Sequence, residues 1–292
     1  MPLDRWISLY VAEPIIKSRL GKAKPGIPIL MYHSISDDPE TGTPSYYRLS
    51  TPPGLFREQM RFLRDNGYSV LSIPEVVENL GSETLNERRR VALTFDDGYS
   101  DFYSHAWPIL KEFGYTATVF LSTAFVGDNP KSFKERLCLN WGEVRELHSD
   151  GVCFGSHTVH HVQLYDLGWP TIESELADSK KELEDRVGDS VDAFGYPYAY
   201  PQSDSDFCNR FSSLLELCGY AYCVTTRIGH LCAGDDRFKL KRLPVNGSDD
   251  QALFEAKLEG AYDWLAAAQT LVKSLKSAIT LRRARTSRIG KG

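Results

Sequence analysis

Apolar residues along this chain alternate between two patterns: short continuous runs, and longer stretches in which they recur every three or four positions. PILMYH (28–33) is the first run and predicts a strand. Phe56, Met60 and Leu63 follow at helical spacing, giving one apolar face that stops at Asn66 and Gly67. YSVL (68–71) reads as the next strand, and Ser72 and Glu75 then have capping-box spacing around Pro74, so a short helix carrying Val76, Val77 and Leu80 begins there. VALTF (91–95) precedes a helix predicted at 103–113; ATVFLS (117–122) precedes a loop and a helix after Asn140 that ends near Gly151. VCFGSH (152–157) is a further strand, followed by a helix at 171–187, charged on most sides, whose apolar stripe is Ile172, Leu176 and Leu183. AFGYP, AYCVTT and FKLKRL complete the strand candidates.

Strands that alternate with helices imply parallel pairing through crossover connections. The number and length of the units predict an α/β fold, a distorted (β/α) barrel of seven or eight units, over residues 28–248. Residues 1–27 are expected to be a packing segment. Residues 249–292 are expected to form a C-terminal helical extension marked by Leu253, Phe254, Leu258, Tyr262, Leu265, Leu271, Val272 and Leu275.

Composition narrows this picture in three ways. The 34 basic and 39 acidic side chains leave a net charge of -5, too balanced for a nucleic-acid footprint. Six cysteines without a CxxC pair argue for ordinary buried thiols rather than a zinc knuckle. The amphipathic N-terminus is interrupted by Glu13 and Pro14 and lacks a small-residue cleavage site, and no run approaches the ~20 apolar residues of a membrane span, so the expected location is the cytoplasm. Positions 273–292 carry seven basic residues and no acidic one. They read either as a solvated tail or as a contact with the inner face of the membrane.

The chemistry is concentrated in two places. TFDDG (94–98) sets Asp96 and Asp97 at the carboxyl end of a strand, where barrel enzymes carry catalytic groups. Adjacent carboxylates are costly there unless a cation or an arginine compensates them, although a turn also accounts for Asp97-Gly98. GSHTVHHVQL (155–164) follows another strand; one helix-like turn brings His157 and His161 to the same side and sends His160 elsewhere. Two imidazoles, one carboxylate and an open position describe a catalytic zinc site. A lone histidine is more often structural, but both motifs at strand ends of one barrel favour a shared site.

These two motifs resemble the first and second motifs of the polysaccharide deacetylase family, the NodB-type carbohydrate esterases, and the likeness covers roughly residues 28–245. The resemblance implies a metal-dependent hydrolase that removes an acetyl group from an N-acetylated sugar, glycan or lipid-linked sugar precursor. It implies Asp96 as general base, and Asp97, His157 and His161 as ligands of one divalent ion, zinc in the first instance. The family's third motif, RxPYG, is matched only in part by Gly195-Tyr196-Pro197-Tyr198-Ala199. The Tyr198 backbone N–H keeps its expected part in binding the oxyanion. The missing arginine is expected to be supplied by Arg242 in KLKRLPV, against the competing reading of a structural arginine. No late LxH motif provides the family's general acid. Two candidates stand in for it, His230 in RIGHLC and His33 at the end of the first strand; the first and last strands of a closed barrel are neighbours, and relatives with a permuted motif order favour His33. Trp141, Tyr165, Trp169, Tyr198 and Tyr200 are candidates to stack on sugar rings or simply to pack. A deacylase of small molecules or O-acetyl esters is the alternative enzyme, and a silent glycan-binding module the alternative class; an intact Asp96 argues against the latter.

Overall fold

Val91, Ala92, Leu93, Thr94 and Phe95 are all buried, on both faces of one strand, which requires cover on each side. Val91, Leu93 and Phe95 face a large core shared with surrounding helices, whereas Ala92 joins Ile29, Phe120, Ala193, Val224 and Leu240 in a second cluster that fills a barrel interior. The computed structural model describes residues 3–19, 26–44, 47–81 and 89–266. Its strands are β1 (Ile29–Tyr32), β2 (Ser69–Leu71), β3 (Arg90–Phe95), β4 (Thr118–Leu121), β5 (Ser132–Phe133), β6 (Arg136–Leu137), β7 (Cys153–Ser156), β8 (Ala193–Gly195), β9 (Tyr222–Ile228) and β10 (Leu240–Pro244). Seven parallel strands close in the order β1-β10-β9-β8-β7-β4-β3, with β3 returning to β1 through Leu30 opposite Leu93 and Tyr32 opposite Phe95. β2 adds to the first half of β3 outside this ring, and β5 and β6 form a separate antiparallel hairpin.

The α-helices are α1 (Leu3–Ile7), α2 (Glu13–Arg19), α3 (Pro53–Asp65), α4 (Ile73–Glu78), α5 (Trp107–Phe113), α6 (Trp141–Ser149), α7 (Trp169–Val187), α8 (Ser205–Leu217) and α9 (Gln251–Leu258). α3 buries Phe56, Met60 and Leu63, the face read from the sequence, and α4 begins in the anticipated Ser72/Glu75 capping box. A second capping box, Asn140 with Glu143, starts α6. The helix expected at 103–113 is instead a π-helical turn, Phe102–Ala106, followed by α5. Pro108 has no N–H to give the carbonyl four residues back, so the regular ladder cannot run through this stretch. α7 starts two residues before the expected boundary because Pro170 suits a first turn, and it stops at left-handed Gly188.

The described part of the N-terminal segment lies against residues near the end of the described chain, Asp250, Tyr262 and Trp264. α1 and the π-turn Ser8–Ala12 hold to the body through polar side chains, while Leu3, Trp6 and Tyr10 face outward. None of the six cysteines is paired; five are buried or half-buried, but Cys232 is exposed. The basic tail at 273–292 and most of the predicted C-terminal extension lie outside the described residues. Among the described residues no helix is long and apolar enough to cross a membrane.

Candidate active site

β3 delivers Asp96 and Asp97 to the carboxyl end of the barrel. The Asp96 backbone N–H still donates to the Tyr32 carbonyl at 3.0 Å, and the next residue breaks away, with Asp97 in the left-handed region at φ 70°. The two carboxylates therefore part company and find different partners.

Asp96 meets Arg242 from β10. Nη1 and Nη2 donate to its two oxygens at 2.6 and 2.8 Å, while the same guanidinium reaches the Thr225 carbonyl at 3.0 Å and Thr94 Oγ1 at 3.2 Å. Both side chains are buried. Burial alone would raise the Asp96 pKa, but the neighbouring guanidinium overrides it and holds the carboxyl below the usual carboxylate range. Gly195, the position of the family's motif arginine, has no room for a side chain: a Cβ there would lie 2.8 Å from the Phe120 ring and 3.1 Å from His157 Nδ1. Arg242 arrives from across the barrel, its guanidinium 5.7 Å over that same Phe120 ring.

Asp97 meets the imidazoles. Its Oδ1 lies 3.0 Å from His161 Nε2 and 3.7 Å from His157 Nε2, and one ligand atom from each of the three residues falls within 4.8 Å of the others. His157 Nδ1 sits 2.6 Å from the Gly195 carbonyl, so that nitrogen carries the proton and Nε2 presents a lone pair to Asp97. Burial pushes the His157 pKa down to about 4, which keeps the ring neutral, the form that binds metals. Among the described residues the nearest polar groups to the buried Asp97 Oδ1 are these imidazole nitrogens, while Tyr99 donates to Oδ2 at 3.0 Å. A desolvated carboxylate oxygen facing two imidazole nitrogens is a donor set that fits a divalent cation.

The spacing of His157 and His161 works through a different backbone from the helical turn expected. Residues 157–161 form an irregular turn with Thr158 at φ 69° and His161 at φ 52°, closed by the His161 N–H on Thr158 Oγ1 at 2.9 Å. His160 points away, as anticipated, onto Glu175 of α7. Glu175 also accepts the N–H groups of Val159 and His160, clamping the turn from behind. Tyr198 is left-handed too, at φ 57°. Such conformations cost about 1–3 kcal/mol each and persist where the surroundings over-determine them.

Tyr198 is anchored by its carbonyl, which accepts Thr226 Oγ1 at 2.8 Å, and its ring lies 4.6 Å from that of His161. Its backbone N–H makes no hydrogen bond within the described chain. Tyr198 and His33 line one cavity of about 420 Å³, together with Met31, Thr226, Val245 and Asn246. Burial lowers the His33 pKa against the opposing pull of Asp97 and Asp96. His230, the other candidate acid, is outside this cavity: its ring nitrogens bond Asp263 at 2.9 Å and the Leu258 carbonyl at 3.2 Å, a structural tie to the C-terminal segment. Among the aromatic candidates, Trp141 and Tyr200 are core residues, Trp169 packs on Phe207, and Tyr165 is tied to Asp204.

One neighbour of the site escaped sequence reasoning. Lys134, at the tip of the β5–β6 hairpin, lies 3.6 Å from Asp97 Oδ2 and 4.5 Å over the Phe133 ring, which itself flanks His161 at 4.9 Å. Lys134 and Glu135 are both left-handed, in a two-residue turn usually announced by Asn-Gly.

A family model described as polysaccharide deacetylase matches residues 84–220. YxkH of Bacillus subtilis (strain 168), whose name carries a provisional assignment as a polysaccharide deacetylase, is 30% identical over 259 residues, which is 88% of this chain and 85% of that protein. The poly-β-1,6-N-acetyl-D-glucosamine N-deacetylase of Escherichia coli (strain K12) is 32% identical over 143 residues, 46% of this chain but 20% of that protein. The Streptococcus pyogenes deacetylase PplD, solved in complex with acetate, superposes with a TM-score of 0.69 at 28% identity, covering 81% of this chain and 99% of that one.

Proposed function

Because this chain belongs to the polysaccharide deacetylase family, we propose that it hydrolyses the N-acetyl group of an N-acetylated sugar, glycan or lipid-linked sugar precursor, with residues 28–248 as the catalytic barrel. The observation that carries the reading is the division of labour between adjacent carboxylates: Asp96 is committed to Arg242, and Asp97 to two imidazoles.

Asp97, His157 and His161 would hold one divalent ion, and two imidazoles with a carboxylate favour zinc. When bound, it supplies a Lewis acid for the amide carbonyl and acidifies a water towards pKa ~7. Asp96, kept ionised and fixed in place by Arg242, takes the proton of the attacking water. The Tyr198 backbone N–H donates to the oxygen on which negative charge develops. His33, across the same cavity, gives a proton to the sugar nitrogen as the C–N bond breaks, so that amine and acetate leave.

Metal analysis paired with acetate release from N-acetylated oligosaccharides, lipid-linked sugars and O-acetyl esters tests this. Asp96→Asn should keep the metal and lose turnover, whereas His157→Ala should lose the metal. Undiminished acetate release by Asp96→Asn, or full metal content in His157→Ala, would refute the assignment.

A further inference from the structure

One positive charge in the cavity of Tyr198 and His33 has no counterpart. Among the described residues Arg48 is the only guanidinium or ammonium that lines this cavity, and no carboxylate lines it. Arg48 Nε donates to the Thr43 carbonyl at 3.2 Å, while Nη1 and Nη2 have no partner among the described residues. Glu40, which reaches the two residues after Arg48, is already spent: it accepts the N–H groups of Leu49 and Ser50, each at 2.8 Å, and lies 3.3 Å from Arg136 Nη2. The main chain fixes where Arg48 stands. The Ser34 N–H donates to the Leu49 carbonyl at 3.1 Å and the Thr51 N–H to the Ser34 carbonyl at 2.9 Å, which pins this stretch beside the residue that follows His33. A half-buried guanidinium held without a counter-charge is costly unless an anion arrives to meet it.

The walls around Arg48 narrow the choice of anion. A guanidinium offers parallel N–H donors to the oxygens of a phosphate or a carboxylate, and it brings one positive charge. Met31, Leu49, Ile228, Pro244 and Val245 supply apolar wall in the same cavity. A phosphomonoester carries nearly two negative charges near neutrality, and the second would stand unpaired against that wall. A carboxylate carries one charge but ends there, leaving the apolar wall bare. A phosphodiester carries one charge and continues into a second substituent that the wall can cover. The volume of about 420 Å³ is more than an acetamido group fills and falls in the range of sites for drug-sized ligands. We propose that Arg48 determines specificity by binding the phosphodiester of an N-acetylated sugar whose anomeric oxygen carries the phosphate. In a 2-acetamido sugar the amide-bearing carbon is bonded to the anomeric carbon, so one cavity serves both groups. This deepens the deacetylase reading and rests on it for the side of the sugar that faces Asp97.

Calorimetry on the full-length Asp96→Asn protein, so that no sugar is consumed, reads binding apart from turnover. The probes are the methyl and farnesyl phosphodiesters of N-acetylglucosamine 1-phosphate, neutral methyl N-acetylglucosaminide, and N-acetylmuramic acid. The methyl phosphodiester is expected to bind about tenfold or more tightly than the neutral glycoside, an advantage that shrinks with added salt and falls to about twofold or less when Arg48→Met or Arg48→Gln is added. Charged and neutral sugars that bind alike, an advantage that survives both substitutions, or no binding by any probe overturns the proposal. N-acetylmuramic acid that binds as tightly through Arg48 overturns the phosphodiester in favour of a carboxylate. Either result with the farnesyl ester supports the shared chemistry: tighter binding than the methyl ester points to a lipid carrier, and equal binding to a phosphodiester within a glycan. Acetate release by the parent protein is scored separately. Selectivity for the phosphodiester without acetate release refutes the hydrolysis and leaves the role of Arg48 standing, whereas acetate release indifferent to the phosphate does the reverse.

Discussion

Arg242 holds Asp96 by both terminal nitrogens although 146 positions separate them in the chain. A lysine in its place brings the charge without the planar fork. Arg242→Lys should therefore lower kcat by about ten- to a hundredfold with metal content unchanged. Acetate release and metal analysis on the same preparation check both halves of the statement.

Gly195 is where the His157 ring and the Phe120 ring both need empty space. Gly195→Ala should push His157 off the Gly195 carbonyl and weaken metal binding by about tenfold or more, as read by competition with a chromophoric chelator. Adding Phe120→Leu should return part of the affinity, since the smaller side chain makes way for the new methyl group.

Lys257 donates to Asp249 and to the Pro244 carbonyl, each at 2.6 Å, in a buried pocket below the N-terminal helix. Burial raises the Asp249 pKa even with this partner present. Lys257→Met strands the carboxylate and should cost about 3–5 kcal/mol in urea unfolding. Asp249→Asn added to it should recover much of the loss; if the double variant is no more stable than the single one, the pair is not the cause.

Asp250 titrates below the usual carboxylate range, first because Arg5 hydrogen-bonds to it. A carboxyl whose folded pKa is depressed contributes stability that is complete above its unfolded pKa and disappears as the pH falls through the folded value. The side chain is more than half exposed, so the contribution is modest. Hydrogen exchange over residues 3–12, corrected for intrinsic rates, should be flat around neutrality and quicken under acid conditions. Arg5→Ala should already exchange quickly at neutral pH.

Much of this architecture was readable from local patterns. The strand runs at 28–33, 91–95 and 152–157 became β1, β3 and β7 because each carries its burial signal in its own few residues, and the family motifs lie directly after two of them. What resisted reading is non-local. Nothing around Gly195 announces that Phe120, from another strand, occupies its side-chain space, and nothing in Lys134-Glu135 announces a left-handed turn. The His157/His161 spacing was noticed through the geometry of a helix that does not form there, because the left-handed twist at Thr158 and His161 follows from tertiary support by Glu175 and Thr158 rather than from residue type. For the N-terminal helix, amphipathicity was visible in the sequence, but which face would turn inward was decided by Tyr262, Asp250 and Trp264 far downstream.

The contorted main chain at Asp97, Thr158, His161 and Tyr198 bears on how the proposed metal site would exchange its ion. Hydrogen bonds within the protein, the His161 N–H on Thr158 Oγ1 and Thr226 Oγ1 on the Tyr198 carbonyl, hold these dihedrals, so an ion taken up at the proposed site would find its cage already shaped. Reorganisation would then contribute little to uptake, and swapping one cation for another at the proposed site would leave the scaffold unmoved.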